Sequence, residues 1–350
     1  MPHHTLLISL LSLSILLSGC NAAAPSAQIL ATTQLVVVTP VGQTATASPG
    51  CFVASGDPFA FTPDSQRILV RSEPGVQIFN LQNMLKEKFV PAPAKSTDPA
   101  IALSPDGETL AWALSDHSIQ LIRLSDNTVI KTLKGHTGMV TKLKFSLDGK
   151  KLFSASHDTW VRIWDSSGDS IGRFQPLAAD NLPSEVLGMG VLPPDGSIIA
   201  TIPLDGPVKL SGNQVSQYLG GSGGYDTSDI AFSADGELVA ADLATGLFLW
   251  RRSDGTQLLG GNPGINSMAV VFSPDGRYLA YGEITDKSSI VLSSPDGGLK
   301  VRRLEGFQGP VWELVFSPDS SLLASADEAE IRIWRVQDGR LLWTGKNICP

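Results

Sequence analysis

Seven times between residues 59 and 330 an apolar run stops at a short turn centred on aspartate, and a second apolar run leaves it. The turns read Phe61-Thr62-Pro63-Asp64-Ser65, Leu103-Ser104-Pro105-Asp106-Gly107, Phe145-Ser146-Leu147-Asp148-Gly149, Leu192-Pro193-Pro194-Asp195-Gly196, Phe232-Ser233-Ala234-Asp235-Gly236, Phe272-Ser273-Pro274-Asp275-Gly276 and Phe316-Ser317-Pro318-Asp319-Ser320. Successive aspartates lie 42, 42, 47, 40, 40 and 44 residues apart. A period of roughly 40 to 45 is that of one four-stranded propeller blade. Gly and Pro supply the backbone angles of a tight hairpin, and Asp bonds the nearby main chain. A third apolar run follows each pair, as in Val161 to Asp165, Leu247 to Arg251 and Ile331 to Val336, and residues such as Val129 to Leu133 and Arg340 to Thr344 supply a fourth. One such sheet cannot cover both its faces, so the units must pack face to face around an axis. The expected fold is all-β, a seven-bladed β-propeller of four-stranded antiparallel blades spanning residues 51–350.

The residues before the first unit are of another kind. Leu6 to Leu17 is a twelve-residue apolar run broken only by serines. It is too short to span a bilayer, which takes about twenty residues, and it suits the core of a secretory signal peptide. Leu17-Ser18-Gly19-Cys20 follows and resembles the lipobox of bacterial lipoproteins. That resemblance implies removal of residues 1–19 and acylation of Cys20, anchoring the chain on the extracytoplasmic face of a bacterial membrane. A cleaved secretory peptide without lipid stays open. Residues 20–50 are rich in Ala, Thr, Pro, Ser and Gln, carry no charge, and are expected to form a tether. Within them Gln34 to Thr39 is β-prone enough to pair with an exposed sheet edge.

The third unit carries Gly135-His136, Val140 to Asp148, Ser156-His157-Asp158 and Val161-Arg162-Ile163-Trp164-Asp165. In this it resembles the WD-repeat family. The resemblance implies that His136, Ser156, Asp158 and Trp164 form a buried hydrogen-bond relay that stabilises the blade and has no catalytic part. The seventh unit keeps Ser325, Asp327 and Trp334 but has Phe307 in the histidine's place, and the fifth keeps Asp242 and Trp250. Units 1 and 4 match weakly, with Pro203 and Pro207 interrupting the latter.

A ring has one blade pair that the chain does not join. Cys51, before the first unit, and Cys349, after the last, both fall at that joint, and in an exported protein they are expected to form a disulfide. Two unpaired thiols are the alternative. Closure by Gln34 to Thr39 as an extra outer strand is a further one.

Little in the sequence points to chemistry. Lys and Arg total 26 against 34 Asp and Glu, a net charge of -8, which gives no basic footprint for nucleic acid. Gly220 to Gly224 fits the text of a nucleophile elbow, but no helix follows. His117, His136 and His157 map to turns of one face without metal-ligand spacing, and no metal or cofactor is expected. Face loops on a stiff scaffold are the better place for recognition. Trp160, the 176–189 loop with Pro176, Leu182 and Met189, and Trp312 form the candidate interaction surface, with ordinary packing as the competing account of both tryptophans. The expectation is a non-catalytic, monomeric protein-interaction scaffold whose partners are other proteins. A propeller hydrolase or lactonase, or a sensor for a small ligand or polysaccharide, is the alternative.

Overall fold

The computed structural model describes residues 36–38, 51–52, 59–73, 75–94, 100–175, 186–191, 195–203, 207–212, 215–221, 229–243, 245–261, 269–284, 287–327 and 329–346. They form seven antiparallel blades of four strands, a to d from the axis outward. Blade 3 shows the pattern. Strand a is Val140–Phe145, b is Lys151–Ser156, c is Val161–Asp165 and d is Ser170–Phe174. Blade 4 keeps all four strands despite its prolines, because Pro203 ends strand b, Ile199–Pro203, and Pro207 precedes strand c, Val208–Gly212.

Six of the seven aspartate turns share a clasp with the Ser or Thr two residues before the aspartate; blade 4 has Pro193 there. In blade 3 the Ser146 hydroxyl donates to Asp148 Oδ1 at 2.7 Å and accepts the Lys151 N–H at 3.0 Å, while the Lys150 N–H donates to the same carboxylate at 3.1 Å. The clasp returns at Thr62 with Asp64, Ser104 with Asp106, Ser233 with Asp235, Ser273 with Asp275 and Ser317 with Asp319. The Ser146 hydroxyl, followed by the Lys150 N–H, holds the Asp148 carboxyl below the usual carboxylate range.

Clusters shared between neighbouring blades make up the core. At the joint between the two chain ends, Phe59, Phe61, Ile68, Val70 and Phe79 of blade 1 pack with Ala324, Ala326, Ile331, Ile333 and Trp343 of blade 7. The Phe79 and Trp343 ring centroids are 5.6 Å apart. Two turns here replace the usual glycine by serine. Ser65 and Ser320 adopt positive φ of 54° and 60°. Each hydroxyl reaches back to the preceding turn: the Asp319 N–H donates to Ser65 Oγ at 3.2 Å and the Asp275 N–H to Ser320 Oγ at 3.0 Å. At Gly107, by contrast, φ is +75° and a Cβ would stand 2.8 Å from the Pro63 ring. The joint therefore spends a strained backbone angle on a hydrogen bond between blades.

The early β-prone run does join the propeller, but away from the joint. Val36–Val38 pairs parallel with Lys300–Glu305, the outer strand of blade 6, with Val37 opposite Arg303. Cys51–Phe52 pairs with Glu73 and Ser72 at the end of strand b of blade 1. Cys20 and Cys349 lie outside the described residues, and so does the expected bond from Cys51 to Cys349.

Candidate functional site

The relay in blade 3 joins the connection before strand a to strands b and c. His136 is buried, with Nδ1 2.8 Å from Asp158 Oδ2 and Nε2 2.7 Å from Ser154 Oγ. Trp164 Nε1 donates to the same Ser154 Oγ at 2.9 Å. The polarity follows: indole N–H to seryl oxygen, seryl O–H to Nε2, and Nδ1–H to carboxylate. Burial holds the His136 imidazole below its ordinary range, against the opposing pull of Asp158, so the ring is neutral. Desolvation alone would raise the Asp158 carboxyl, but the Thr137 N–H at 2.9 Å and His136 overcome it and hold it low.

The relay serine is Ser154, a correction to the expectation of Ser156. Trp164 is paired with Leu152, and Ser154 stands two residues further along strand b on the same face, within reach of the indole nitrogen. Ser156 ends the strand, donates to Gly138 O at 2.9 Å and accepts the Asp158 N–H at 3.1 Å. Ser154→Ala leaves two buried nitrogens without partners and is expected to cost about 2–3 kcal/mol in urea unfolding, against about 1 kcal/mol for Ser156→Ala. A larger loss at Ser156 would reverse the assignment.

Blade 7 fills the same place differently. Trp334 Nε1 donates to Ser325 Oγ at 2.8 Å. With Phe307 in the histidine's place, the Arg332 guanidinium lies 4.5 Å from that ring centroid and donates to Asp327 Oδ2 at 2.9 Å and Gly306 O at 3.0 Å. In blade 5 the relay is broken. Trp250 pairs with Val239, so Ala241 stands where the relay serine would, and Trp250 Nε1 has no partner among the described residues. Asp242, beside it in sequence, is fully buried, and neither carboxyl oxygen has a hydrogen-bond partner among the described residues. Burial, with the Asp229 charge adding to it, pushes its carboxyl up to about 9.

The candidate interaction residues separate. Trp160 is half-buried at the b–c turn of blade 3, where the Arg173 guanidinium lies 4.4 Å from its ring centroid. Trp312 is half-buried before strand a of blade 7, with its main-chain N–H donating to Ala326 O at 2.9 Å. Met189 is not on the surface. It sits in strand a of blade 4, Val186–Val191, and is buried with Phe153, Ala155, Val161 and Ile199, because the chain enters the blade earlier than the long interval suggests. Pro176 and Leu182 lie outside the described residues, as do 222–224 of the glycine run. Among the described residues no three His, Cys, Asp or Glu side chains are placed to hold a metal ion.

A cavity of about 480 Å3 runs along the axis, lined by all seven inner strands. At its waist is one ring of positions, each paired with strand b of its own blade: Ala60, Ala102, Lys144, Gly190, Ala231, Val271 and Val315. Six are small and apolar, and the seventh is lysine. Asp229 and Glu313 line the cavity one pleat nearer the d–a connections, while Pro63, Pro105, Leu147 and Pro318 border the mouth at the aspartate turns. Sequence analysis missed Lys144, although a fixed offset marks it: in six turns the ring residue is four before the aspartate, and only here is it charged.

Two stretches, residues 127–165 and 298–335, match the family model for the WD domain, G-beta repeat. They cover the last strand of blade 2 with strands a to c of blade 3, and the last strand of blade 6 with strands a to c of blade 7. The matches support a WD-repeat propeller. Among relatives, the chain is 27% identical over 149 residues to COMPASS component SWD3 of Saccharomyces cerevisiae, covering 43% of this chain and 46% of that one. It is 36% identical over 121 residues to periodic tryptophan protein 2 homolog of Schizosaccharomyces pombe, covering 34% and 14%, and 37% identical over 103 residues to the uncharacterized WD repeat-containing protein sll1491 of Synechocystis, covering 29% and 28%. The chain thus spans less than half the length of these relatives. A chain in the crystal structure of the mitotic checkpoint complex has the same fold, with a TM-score of 0.69 at 19% identity over 87% of this chain and 99% of that one. WD-repeat propellers generally act as scaffolds for protein interaction.

Proposed function

We propose that this protein is a non-catalytic interaction scaffold, held by lipid at Cys20 on the extracytoplasmic face of a bacterial membrane and acting there as a single propeller that binds other proteins. The observation that carries the scaffold reading is Trp160 with Arg173 over its ring, a half-buried aromatic and a cation on a turn that the blade 3 relay fixes from below. Trp and Arg are enriched among interface hot spots, which sit in well-packed, desolvated pockets. The address rests on the Leu6 to Leu17 run and the residues up to Cys20. The disulfide from Cys51 to Cys349 belongs to the same reading, since export exposes both thiols to an oxidising environment.

One purification tests these points together. The chain is taken from gently solubilised membranes after chemical cross-linking, its intact mass measured without reductant, and its companions compared with those of Trp160→Ala. The expected result is a mature chain starting at an acylated Cys20, no alkylatable thiol, and at least one companion lost with the indole. An unacylated chain would remove the anchor, and two free thiols the disulfide. Companions indifferent to Trp160 would remove this face as the docking surface.

A further inference from the structure

We propose that the axial cavity is a binding site for a small monocarboxylate with an apolar body, whose carboxylate pairs with Lys144. The cavity, about 480 Å3, has the size of a small-molecule site. Its waist is apolar except at Lys144, which has no hydrogen-bonding or ion-pair partner among the described residues, although neighbouring charged groups do: Asp229 accepts the Ile230 N–H at 2.9 Å and the Val270 N–H at 3.3 Å, and Glu313 is also partnered. A half-buried cation on an apolar wall is under-compensated, and an anion in the cavity supplies what the protein leaves out.

The other groups narrow the class. Asp229 and Glu313 line the same space, so a second negative charge on the ligand would face two carboxylates, and a phosphate monoester or dicarboxylate is disfavoured. A compact inorganic anion would leave most of the wall unfilled. The alanines at 60, 102 and 231 and the glycine at 190 hold the waist open, so an alkyl or aryl body fits where larger side chains would otherwise meet. The site does not depend on the protein-binding surface at Trp160, which is on the opposite face.

The test uses one alkyl chain with three headgroups. The full chain carrying Cys20→Ser, which cannot be acylated at that position, is titrated calorimetrically with octanoate, octan-1-ol and octylammonium. Octanoate is expected to bind more tightly than the other two. Lys144→Met, which keeps the stem and removes the charge, is expected to weaken octanoate by about tenfold or more and to leave octan-1-ol unchanged, while Lys144→Arg retains octanoate. Ala231→Leu, which narrows the waist without touching the charge, is expected to weaken every probe that enters. Octanoate failing to bind the unaltered ring, binding equally to Lys144→Met, or binding no better than octan-1-ol would each overturn the proposal. Loss of the Trp160-dependent companions would not bear on it.

Discussion

Asp242→Asn is expected to stabilise the protein by about 4 kcal/mol at pH 7. The carboxyl stands at about 9 in the folded chain against an ordinary 3.8, so the fold retains a proton that the unfolded chain releases. Below pH 3.8 both forms are protonated and the group has no effect on stability. Between 3.8 and about 9 the folded state loses about 1.4 kcal/mol per pH unit relative to the unfolded one, and above that range the loss is constant. Asparagine carries no such penalty. Urea unfolding of the two proteins should therefore give equal stabilities near pH 4 and curves that separate steadily towards pH 9. Equal midpoints at pH 7 would mean that Asp242 is ionised and compensated in the fold, contrary to its full burial without a partner. Asp242 follows Ala241 in strand b and so points to the opposite face from Ala241 and Trp250, towards the cluster that Leu247 shares with blade 6.

Trp343→Ala is expected to cost about 3–5 kcal/mol, the range for deleting a buried large aromatic. Its more informative effect is positional. Trp343 is 2% exposed and packs across the joint onto Phe79, where no covalent link from blade to blade lies among the described residues. Amide hydrogen exchange should show protection lost first in Phe59–Phe61 and Glu313–Phe316, with Lys151–Ser156 of blade 3 retaining its own. Uniform loss around the ring would show that the joint is no weaker than the other blade boundaries, leaving the Ser65 bond and the remaining cluster sufficient to hold it.

Blade number and strand order were legible in the sequence because they depend on local chemistry. A Ser/Thr-x-Asp clasp needs residues close together in the chain, and it recurs at six of the seven a–b hairpins, blade 4 having Pro193 in the serine's place. The relay was legible in type but not in register: Ser154 and Ser156 lie on one face of one strand, and only the direction of the Trp164 indole separates them. Met189 was misplaced because the long interval was read as loop, whereas strand a of blade 4 already begins at Val186. Lys144 escaped notice for a different reason, because it is singled out only by what six other repeats place at the same position. Asp242 was read as the relay acid of blade 5, and the register of strand b puts it on the other face from Trp250.

Strands a to d of each blade come from one continuous stretch of chain, and Val36–Val38 is added to blade 6 from the N-terminal side. Duplicating or deleting about forty residues in frame within blades 2 to 5 would therefore add or remove an entire wedge without rewiring another, and the place where the circle meets itself would stay at the chain ends. Of the two seryl turns only Ser65 bonds across that meeting, to Asp319, while Ser320 bonds back to Asp275 of blade 6. Lineages that changed their wedge count should still carry a turn like that of Ser65 where their ends meet.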